Sequence, residues 1–330
     1  MPRKKFNVFP DVDINHMDYH PALQKLRAQY SPDPSTTQQK TAYFTASDGN
    51  RLFTRHWYVP GVVKKGAIVA FHGMGGDSEY FVLLADQVAS HGYDVYIHEY
   101  LGHGLSDGTR GDIKSFATYT KHSTEFLNHV AKQIGSTPLF ALGESMGGTV
   151  LINTLIENEN IPPLAGIMLF APAIKIKASM ASLKDIVIGL GWLLSYPFKP
   201  SRLTYNVRPV REKTLKDGKE TIDPIHFEYD TVNPLHLDRI SSRYLLQLNK
   251  GFGRAFKQGP QHVKNPLIVF LGGNDLAIDD KGVKSFVDRV PIADKEFIIV
   301  PEAPHAMFTS DAFKSLWDKV RSWFDDHAGK

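Results

Sequence analysis

A serine near the middle of the chain, and an aspartate and a histidine towards its end, each follow a strand-like apolar run. Ser145 lies within Gly-Glu-Ser-Met-Gly, Asp275 comes shortly after run 267–271, and His305 comes shortly after run 296–300. A serine hydroxyl becomes a useful nucleophile when a histidine takes its proton and a carboxylate orients that histidine. The order Ser, Asp, His along the chain is the one expected of a serine nucleophile on a strand-turn-helix elbow. The sequence therefore predicts Ser145 as nucleophile, His305 as general base and then acid, and Asp275 as the orienting carboxylate.

Each of these residues also has a structural interpretation when it is taken alone. The Gly-x-Ser-x-Gly pattern can be a plain glycine-rich turn, Asp275 a turn aspartate, and His305 a partly buried loop histidine. Asp279 and Asp280 are rival acids. They lie further from the strand end, where an aspartate suits the N-terminal cap of a following helix. The placement of all three residues after strands favours the catalytic interpretation.

The oxyanion of a tetrahedral intermediate needs hydrogen-bond donors, which backbone N–H groups can supply. One donor is expected from Met146, the residue after the nucleophile, and the other from the loop after an early strand. That loop reads His-Gly-Met-Gly-Gly over residues 72–76. We predict Met146 and Met74 as the two donors, and His72 as a residue that fixes the loop.

Other clusters of chemical side chains give weaker patterns. His98, His103 and Asp107 fit neither a helix face nor a short metal-ligand loop. His16 and His20 have a helical spacing in polar surroundings that favour an exposed segment. The absence of cysteine excludes disulfides and thiolate chemistry. We therefore predict no metal and no cofactor.

The elements that would position these residues alternate between strand-like and helix-like runs. The strand-like runs are 41–46, 51–59, 67–71, 94–97, 139–142, 166–170, 267–271 and 296–300. The helix-like runs are 21–30, 80–91, 116–133, 149–156, 244–256, 281–290 and 313–324. An Asp-Gly turn at 48–49 predicts that the first two strands form a hairpin. The later strands are apolar throughout, which predicts a mostly parallel sheet covered by helices on both faces.

The alternation suggests four parts of the chain. Residues 1–40 are expected to be an N-terminal extension, and residues 41–174 the first part of an α/β core. Residues 175–262 interrupt the pattern for too long to be a loop, so we predict an inserted cap. Residues 263–330 would complete the core.

Composition limits the kind of partner. With 38 basic and 35 acidic residues the formal net charge is +3, too balanced to indicate nucleic-acid binding. No signal peptide follows the basic residues near the start, and the longest apolar run, 186–194, is about half of a membrane span. The expectation is a cytoplasmic protein, and nothing in the sequence indicates its oligomeric state.

With these residues in place, the chain resembles the α/β-hydrolases of the monoacylglycerol lipase and lysophospholipase group, the serine aminopeptidase-like family. The resemblance covers roughly residues 41–326, and its weakest parts are the first forty residues and the stretch 178–230. It rests on Phe71-His-Gly-Met-Gly-Gly76, Gly102-His-Gly-Leu-Ser-Asp-Gly108, Gly143-Glu-Ser-Met-Gly-Gly148, Gly273-Asn-Asp-Leu276 and Ala303-Pro-His305. It implies an α/β-hydrolase fold with an inserted helical cap, and a catalytic acid at Asp275.

The favoured activity is hydrolysis of the carboxylic ester of a single-chain lipid, a monoacylglycerol or a lysophospholipid. Run 186–194 is apolar and flanked by lysine and arginine, which suits an acyl chain and a transient contact of the cap with a membrane surface. An aminopeptidase or a carbon–carbon bond hydrolase is a second hypothesis, with acidic cap residues Glu212, Glu220, Asp223 and Glu228 available. A non-catalytic binding protein on a hydrolase fold is the third.

Overall fold

Apolar strand segments build the centre of the protein. The computed structural model describes residues 20–157, 160–177, 203–206 and 224–329. The strands are β1 (Gln38–Thr45), β2 (Arg51–Tyr58), β3 (Gly66–Phe71), β4 (Tyr93–His98), β5 (Leu139–Glu144), β6 (Gly166–Phe170), β7 (Leu203–Asn206), β8 (Arg239–Ser241), β9 (Leu267–Gly272) and β10 (Lys295–Val300). Every residue of β3, β6 and β9 is buried, as expected for strands covered on both faces.

Eight of these strands form one sheet in the order β1-β2-β4-β3-β5-β6-β9-β10. The first two strands form the predicted hairpin, in which Thr45 pairs with Arg51. β2 is antiparallel to β4, and all pairs from β4 to β10 are parallel. Strands β7 and β8 form a separate antiparallel pair. The prediction of a mostly parallel sheet is confirmed.

Helices cover the sheet and supply the rest of the core. They are α1 (Pro21–Tyr30), α2 (Val82–Val88), α3 (Ala117–Ile134), α4 (Met146–Glu157), α5 (Pro224–Val232), α6 (Ser242–Gln258), α7 (Asp280–Arg289), α8 (Asp311–Lys314) and α9 (Trp317–Ala328). On α3, the buried positions Tyr119, Phe126, Leu127 and Val130 recur at helical spacing, which places one face of the helix against the sheet.

Two predicted helices are interrupted. The run 80–91 forms α2 with a short 3₁₀ segment at each end, and it stops at Gly92, whose φ of 96° is left-handed. The run 313–324 is split between α8 and α9. Phe313 and Trp317 are both buried with ring centroids 5.1 Å apart, and the break between the helices accommodates both rings in the core.

The helix predicted over residues 21–30 forms and packs on the core. Ala22, Leu23 and Leu26 are fully buried, and Arg27 makes two hydrogen bonds of 2.7 Å to Asp86 of α2. His20 caps the start of this helix, because its Nδ1 accepts from the N–H of Ala22 at 3.2 Å. The helix therefore belongs to the same packed unit as the sheet.

Some predictions concern residues that the structure does not describe. They include His16, the apolar run 186–194 with its proposed membrane contact, and the acidic residues of the stretch 207–223. Within the described ranges, no helix combines the length and the apolar character needed to cross a membrane.

Candidate active site

Ser145 occupies a sharp turn between β5 and α4. Its φ is 52°, in the left-handed region that residues with a Cβ rarely adopt, so its backbone is strained. The turn is held by β6, because Ser145 donates its N–H to Phe170 at 2.9 Å and its carbonyl accepts from Ala173 at 2.9 Å. These bonds, to the end of β6 and to the loop after it, keep the serine in a conformation that the local sequence alone would not favour.

The glycines of the motif are required by close approach of the backbone. A Cβ on Gly143 would lie 2.6 Å from the Cα of Gly148. A Cβ on Gly147 would overlap the carbonyl of Phe71 at the end of β3. Helix α4 can therefore start directly beneath the sheet edge, with its N-terminus at Ser145.

The other two residues lie on loops that follow β9 and β10, and these loops are joined. Asn274 donates its N–H to Ala303 at 3.0 Å, and Gly273 donates to Val300 at 2.8 Å. A Cβ on Gly272 would come within 2.5 Å of the carbonyl of Pro304. The two loops therefore pack backbone to backbone and fix the positions of Asp275 and His305 relative to each other.

Ser145, His305 and Asp275 form a continuous hydrogen-bonded chain. His305 Nε2 lies 3.0 Å from Ser145 Oγ, and His305 Nδ1 lies 2.7 Å from Asp275 Oδ2. With Nδ1 donating to the carboxylate, Nε2 carries the lone pair that faces the serine hydroxyl. The structure brings together all three residues that the sequence singled out.

Asp275 is held as a charged carboxylate. Its side chain is buried, and its Oδ1 accepts from the backbone N–H groups of Ala277 and Ile278 at 2.8 and 2.9 Å. Burial by itself would raise the pKa of Asp275, but the charge and hydrogen bond of His305 and the two N–H groups outweigh it. The pKa of the carboxyl therefore lies below its ordinary value.

Of the two predicted oxyanion donors, Met146 follows the serine in the chain and Met74 lies in a loop that passes it. Met146 is the first residue of α4, where an N–H has no acceptor within the helix. Met74 lies in the loop after β3, and among the described residues no hydrogen bond engages its N–H. A Cβ on Gly73 would be 3.4 Å from the Cβ of Ser145, so this loop runs directly past the nucleophile.

His72 fixes this loop, as predicted. Its Nδ1 donates to the carbonyl of Gly73 at 2.8 Å, and its Nε2 accepts from the N–H of Tyr100 at 3.2 Å. Complete burial lowers the pKa of His72 to about 4, so the ring is neutral at physiological pH. A neutral ring with both nitrogens hydrogen-bonded joins the loop to Tyr100, two residues after the end of β4.

Glu144 lies against the same loop. A Cβ on Gly73 would be 3.3 Å from Glu144 Oε2, and the N–H of Gly73 bonds to this carboxylate. Burial raises the pKa of Glu144 above its ordinary value, although nearby His305 and His226 act in the opposite direction. Glu144 therefore lies beside the site, next to the loop after β3, whereas Asp275 is the carboxylate bonded to His305.

Residues proposed as alternatives have other partners. Asp279 Oδ1 accepts from the N–H of Gly282 and caps α7, as the sequence suggested. His98 Nε2 lies 3.3 Å from Ser123 Oγ, and His103 Nε2 lies 3.0 Å from the hydroxyl of Tyr244. Asp107 pairs with Arg51. In the described part of the chain, no three His, Asp or Glu side chains are grouped as metal ligands.

A buried polar cluster that no sequence pattern predicted lies beside the loop after β3. Asp77 Oδ2 accepts from Asn233 Nδ2 at 2.9 Å and lies 3.4 Å from His236 Nε2. The hydroxyl of Tyr229 lies 3.3 Å from Asp77 Oδ1. Asp77 and Asn233 are 156 positions apart, and no motif or spacing in the sequence relates them.

Comparison with known proteins finds a matching family model, similar sequences and similar solved structures. The family model described as serine aminopeptidase, S33, matches residues 63–311. Monoglyceride lipase of Homo sapiens is 23% identical over 291 residues, covering 88% of this chain and 91% of the relative. Phospholipase YtpA of Bacillus subtilis is 23% identical, covering 79% and 95%. A soluble variant of monoglyceride lipase from Saccharomyces cerevisiae, solved with a substrate analog, superposes with a TM-score of 0.75 at 22% identity, covering 90% of this chain and 98% of the other.

Proposed function

Since this chain belongs to the serine aminopeptidase (S33) family of α/β-hydrolases, we propose that it hydrolyses the carboxylic ester of a single-chain lipid, a monoacylglycerol or a lysophospholipid. The observation that carries the proposal is the hydrogen-bonded chain from Ser145 through His305 to Asp275 at a strained elbow. A group of this geometry can generate a nucleophile without a cofactor.

The proposed reaction proceeds through an acyl-enzyme. Ser145 Oγ attacks the ester carbon while His305 Nε2 takes the hydroxyl proton, and His305 then gives that proton to the leaving alcohol. Water then attacks the acyl-enzyme in the same way. His305 takes a proton from the water and returns it to Ser145 Oγ, which restores the hydroxyl and releases the fatty acid. Asp275 stabilises the imidazolium that forms in both halves of the reaction.

In this proposal the backbone N–H groups of Met74 and Met146 receive the oxyanion. Both donors come from the backbone, so the side chain at position 74 is free of that role. Met74 is 38% exposed. We expect Met74→Ala to retain hydrolysis within a few-fold. A loss of about 10²-fold, the size of a lost oxyanion donor, would place a function in the side chain instead.

The lipid character of the substrate rests on the relatives and on the cap. Monoglyceride lipases and a phospholipase are the named relatives. We propose that residues 175–262 form the cap over the site, that 41–174 and 263–330 form the core, and that the apolar run 186–194 receives the acyl chain. Contact of this run with a membrane surface is part of the same proposal.

An aminopeptidase activity is the second candidate, because the family description names it. An aminopeptidase needs an acidic group to bind the amine of its substrate. Glu228 is one of the four acidic residues considered, and it lies 3.4 Å from Lys25 in an exposed ion pair. The other three lie outside the described residues. A proline naphthylamide distinguishes the candidates directly.

The decisive experiment is a hydrolysis panel with Ser145→Ala as the blank. Substrates are monoacylglycerols and lysophospholipids of several chain lengths, short p-nitrophenyl esters and proline naphthylamide. We expect the highest kcat/KM on a single-chain lipid ester, and loss of the activity in the variant. Hydrolysis of a medium-chain ester that survives Ser145→Ala would reject the assignment of the nucleophile. Failure of a fluorophosphonate to label Ser145 in folded protein would favour a binding protein.

A further inference from the structure

The loop after β3 is held from one side by the segment 224–237. In addition to the bonds of Asp77 to Asn233 and its contact with Tyr229, the carbonyl of Gly75 accepts from the N–H of Leu237 at 2.9 Å. Asp77 and Asn233 are both buried. The contacts of Gly75 and Asp77 therefore hold the loop within three residues of Met74, the proposed donor to the oxyanion.

The same segment also contacts the loop that carries His305. His226 Nδ1 lies 2.8 Å from Thr309 Oγ1, four residues after His305. His226 and His236 both lie close to Asp230, at 3.5 and 3.3 Å. Segment 224–237 therefore contacts both the loop that contains Met74 and the loop that carries His305. The relative position of these two loops matters when the tetrahedral intermediate forms.

We propose that Asp77 is a positioning residue that holds the oxyanion loop in place through Asn233. The inference rests on the proposed function, because it assumes that Met74 supplies an oxyanion donor. Asp77 accepts hydrogen bonds from three groups. They are the N–H of Glu79 at 2.7 Å, the amide of Asn233 and the hydroxyl of Tyr229. Displacing the loop weakens a bond made fully only in the transition state, so kcat falls while KM changes little.

The Asp77–Asn233 bond allows a reciprocal exchange of donor and acceptor. Asp77→Asn sets an amide donor against the amide of Asn233, and rotating the new amide would move the clash to the N–H of Glu79. Asn233→Asp sets two carboxylates against each other. In the double variant, the amide at position 77 can donate to the carboxylate at 233. That carboxylate keeps the bond from the N–H of Leu235, which Asn233 Oδ1 accepts at 2.9 Å.

The experiment measures kcat, KM and the affinity for a medium-chain trifluoromethyl ketone, whose adduct with Ser145 carries an oxyanion. We expect each single variant to lower kcat about 10- to 100-fold, in line with a displacement of about 1 Å. The KM should stay within about two-fold, and the ketone should bind more weakly by a factor similar to the loss in kcat. The double variant should recover most of the loss. Tyr229→Phe, which removes only a hydroxyl, should lower kcat about two- to five-fold.

Controls separate a positioning role from general destabilisation. Asp86→Asn disturbs the ion pair with Arg27, and it should lower the Tm without weakening the ketone. If the single variants match wild-type kcat, or if the double variant loses the product of the two single effects, the inference is wrong. If a single variant does not fold, the double variant and Tyr229→Phe decide the question. Wild-type protein that hydrolyses no ester would instead reject the proposed function.

Discussion

Gly147 at the start of α4 lies directly against the carbonyl of Phe71 at the end of β3. A Cβ on Gly147 would overlap that oxygen. Phe71 is followed immediately by the loop that contains Met74, and Gly147 follows Met146, so this contact joins the two predicted oxyanion donors. The distance between them is therefore set by backbone packing.

We expect Gly147→Ala to lower kcat at least about 10²-fold, because a Cβ that overlaps the Phe71 oxygen forces α4 or the end of β3 to move by about 1 Å. Gly253→Ala is the matched control. Gly253 lies on α6, and outside that helix the described residues place no atom within 4 Å of the position of a Cβ, so alanine there should stabilise the fold by up to about 1 kcal/mol and leave kcat unchanged. Steady-state kinetics and urea unfolding of both variants test this. Wild-type kcat in Gly147→Ala would refute the packing argument.

Asp275→Asn is expected to reduce kcat about 10³- to 10⁴-fold while the protein stays folded. The amide oxygen can still accept both backbone N–H groups that Asp275 Oδ1 accepts, but no charged acceptor then faces His305 Nδ1. The imidazolium that forms during the reaction then loses its stabilising carboxylate. Kinetics on a p-nitrophenyl ester, with circular dichroism to show the fold, measure the effect.

The matched control for Asp275 is Asp279→Asn on the same loop. Asp279 caps α7 through the N–H of Gly282 at 3.2 Å. Because asparagine also caps helices well, we expect activity within about two-fold of wild type and a change in stability below about 1 kcal/mol. A large loss of kcat in Asp279→Asn with little loss in Asp275→Asn would transfer the role of the acid to Asp279.

Glu79 gives a prediction about the pH dependence of stability. Burial, and then the nearby charge of Asp77, raise the pKa of Glu79 to about 7. The folded protein therefore holds a proton that the unfolded chain releases at its ordinary carboxyl pKa. The contribution of Glu79 to stability is complete below that ordinary value and is lost as the pH rises through about 7.

Glu79→Gln removes this titration and keeps an acceptor for the N–H of His20, which Glu79 Oε1 accepts at 3.0 Å. We expect the free energy of unfolding of the variant, relative to wild type, to improve by as much as about 3 kcal/mol between pH 5 and pH 8.5. Urea unfolding at the two pH values measures the difference. A pH-independent difference between variant and wild type would contradict the prediction.

The sequence predicted the strands well because each is a short apolar run bounded by turn residues. Run 166–170 coincides with β6, and run 139–142 is two residues shorter than β5, since Gly143 and Glu144 are not apolar. The lateral order of the strands carries no such local signal. That β3 lies between β4 and β5 depends on the packing of the helices that connect them.

The same limit applies to the site. Ser145, Asp275 and His305 could be predicted because each follows a strand, and the carboxyl ends of parallel strands meet at one sheet edge. Asp77 and Asn233 are 156 positions apart, and neither stands at the end of a strand. Their partnership is a tertiary contact between the loop after β3 and the segment 224–237, which no periodicity or spacing encodes.

Arg27 tests whether α1, which precedes the region matched by the family model, contributes to the stability of the core. Its guanidinium makes two bonds to Asp86, whose side chain is fully buried, and a third to the carbonyl of Pro34 at 2.7 Å. Arg27→Ala leaves the buried carboxylate with Ser31 Oγ as a neutral donor at 2.6 Å, so we expect a loss of about 3 kcal/mol. Arg27→Ala with Asp86→Leu should recover part of this loss, because no buried charge remains.

Lys25→Ala on the exposed face of α1 is the control, with an expected change below about 1 kcal/mol. Equal stabilities of wild type and Arg27→Ala in urea would show that the Arg27–Asp86 pair adds nothing to the stability of the fold.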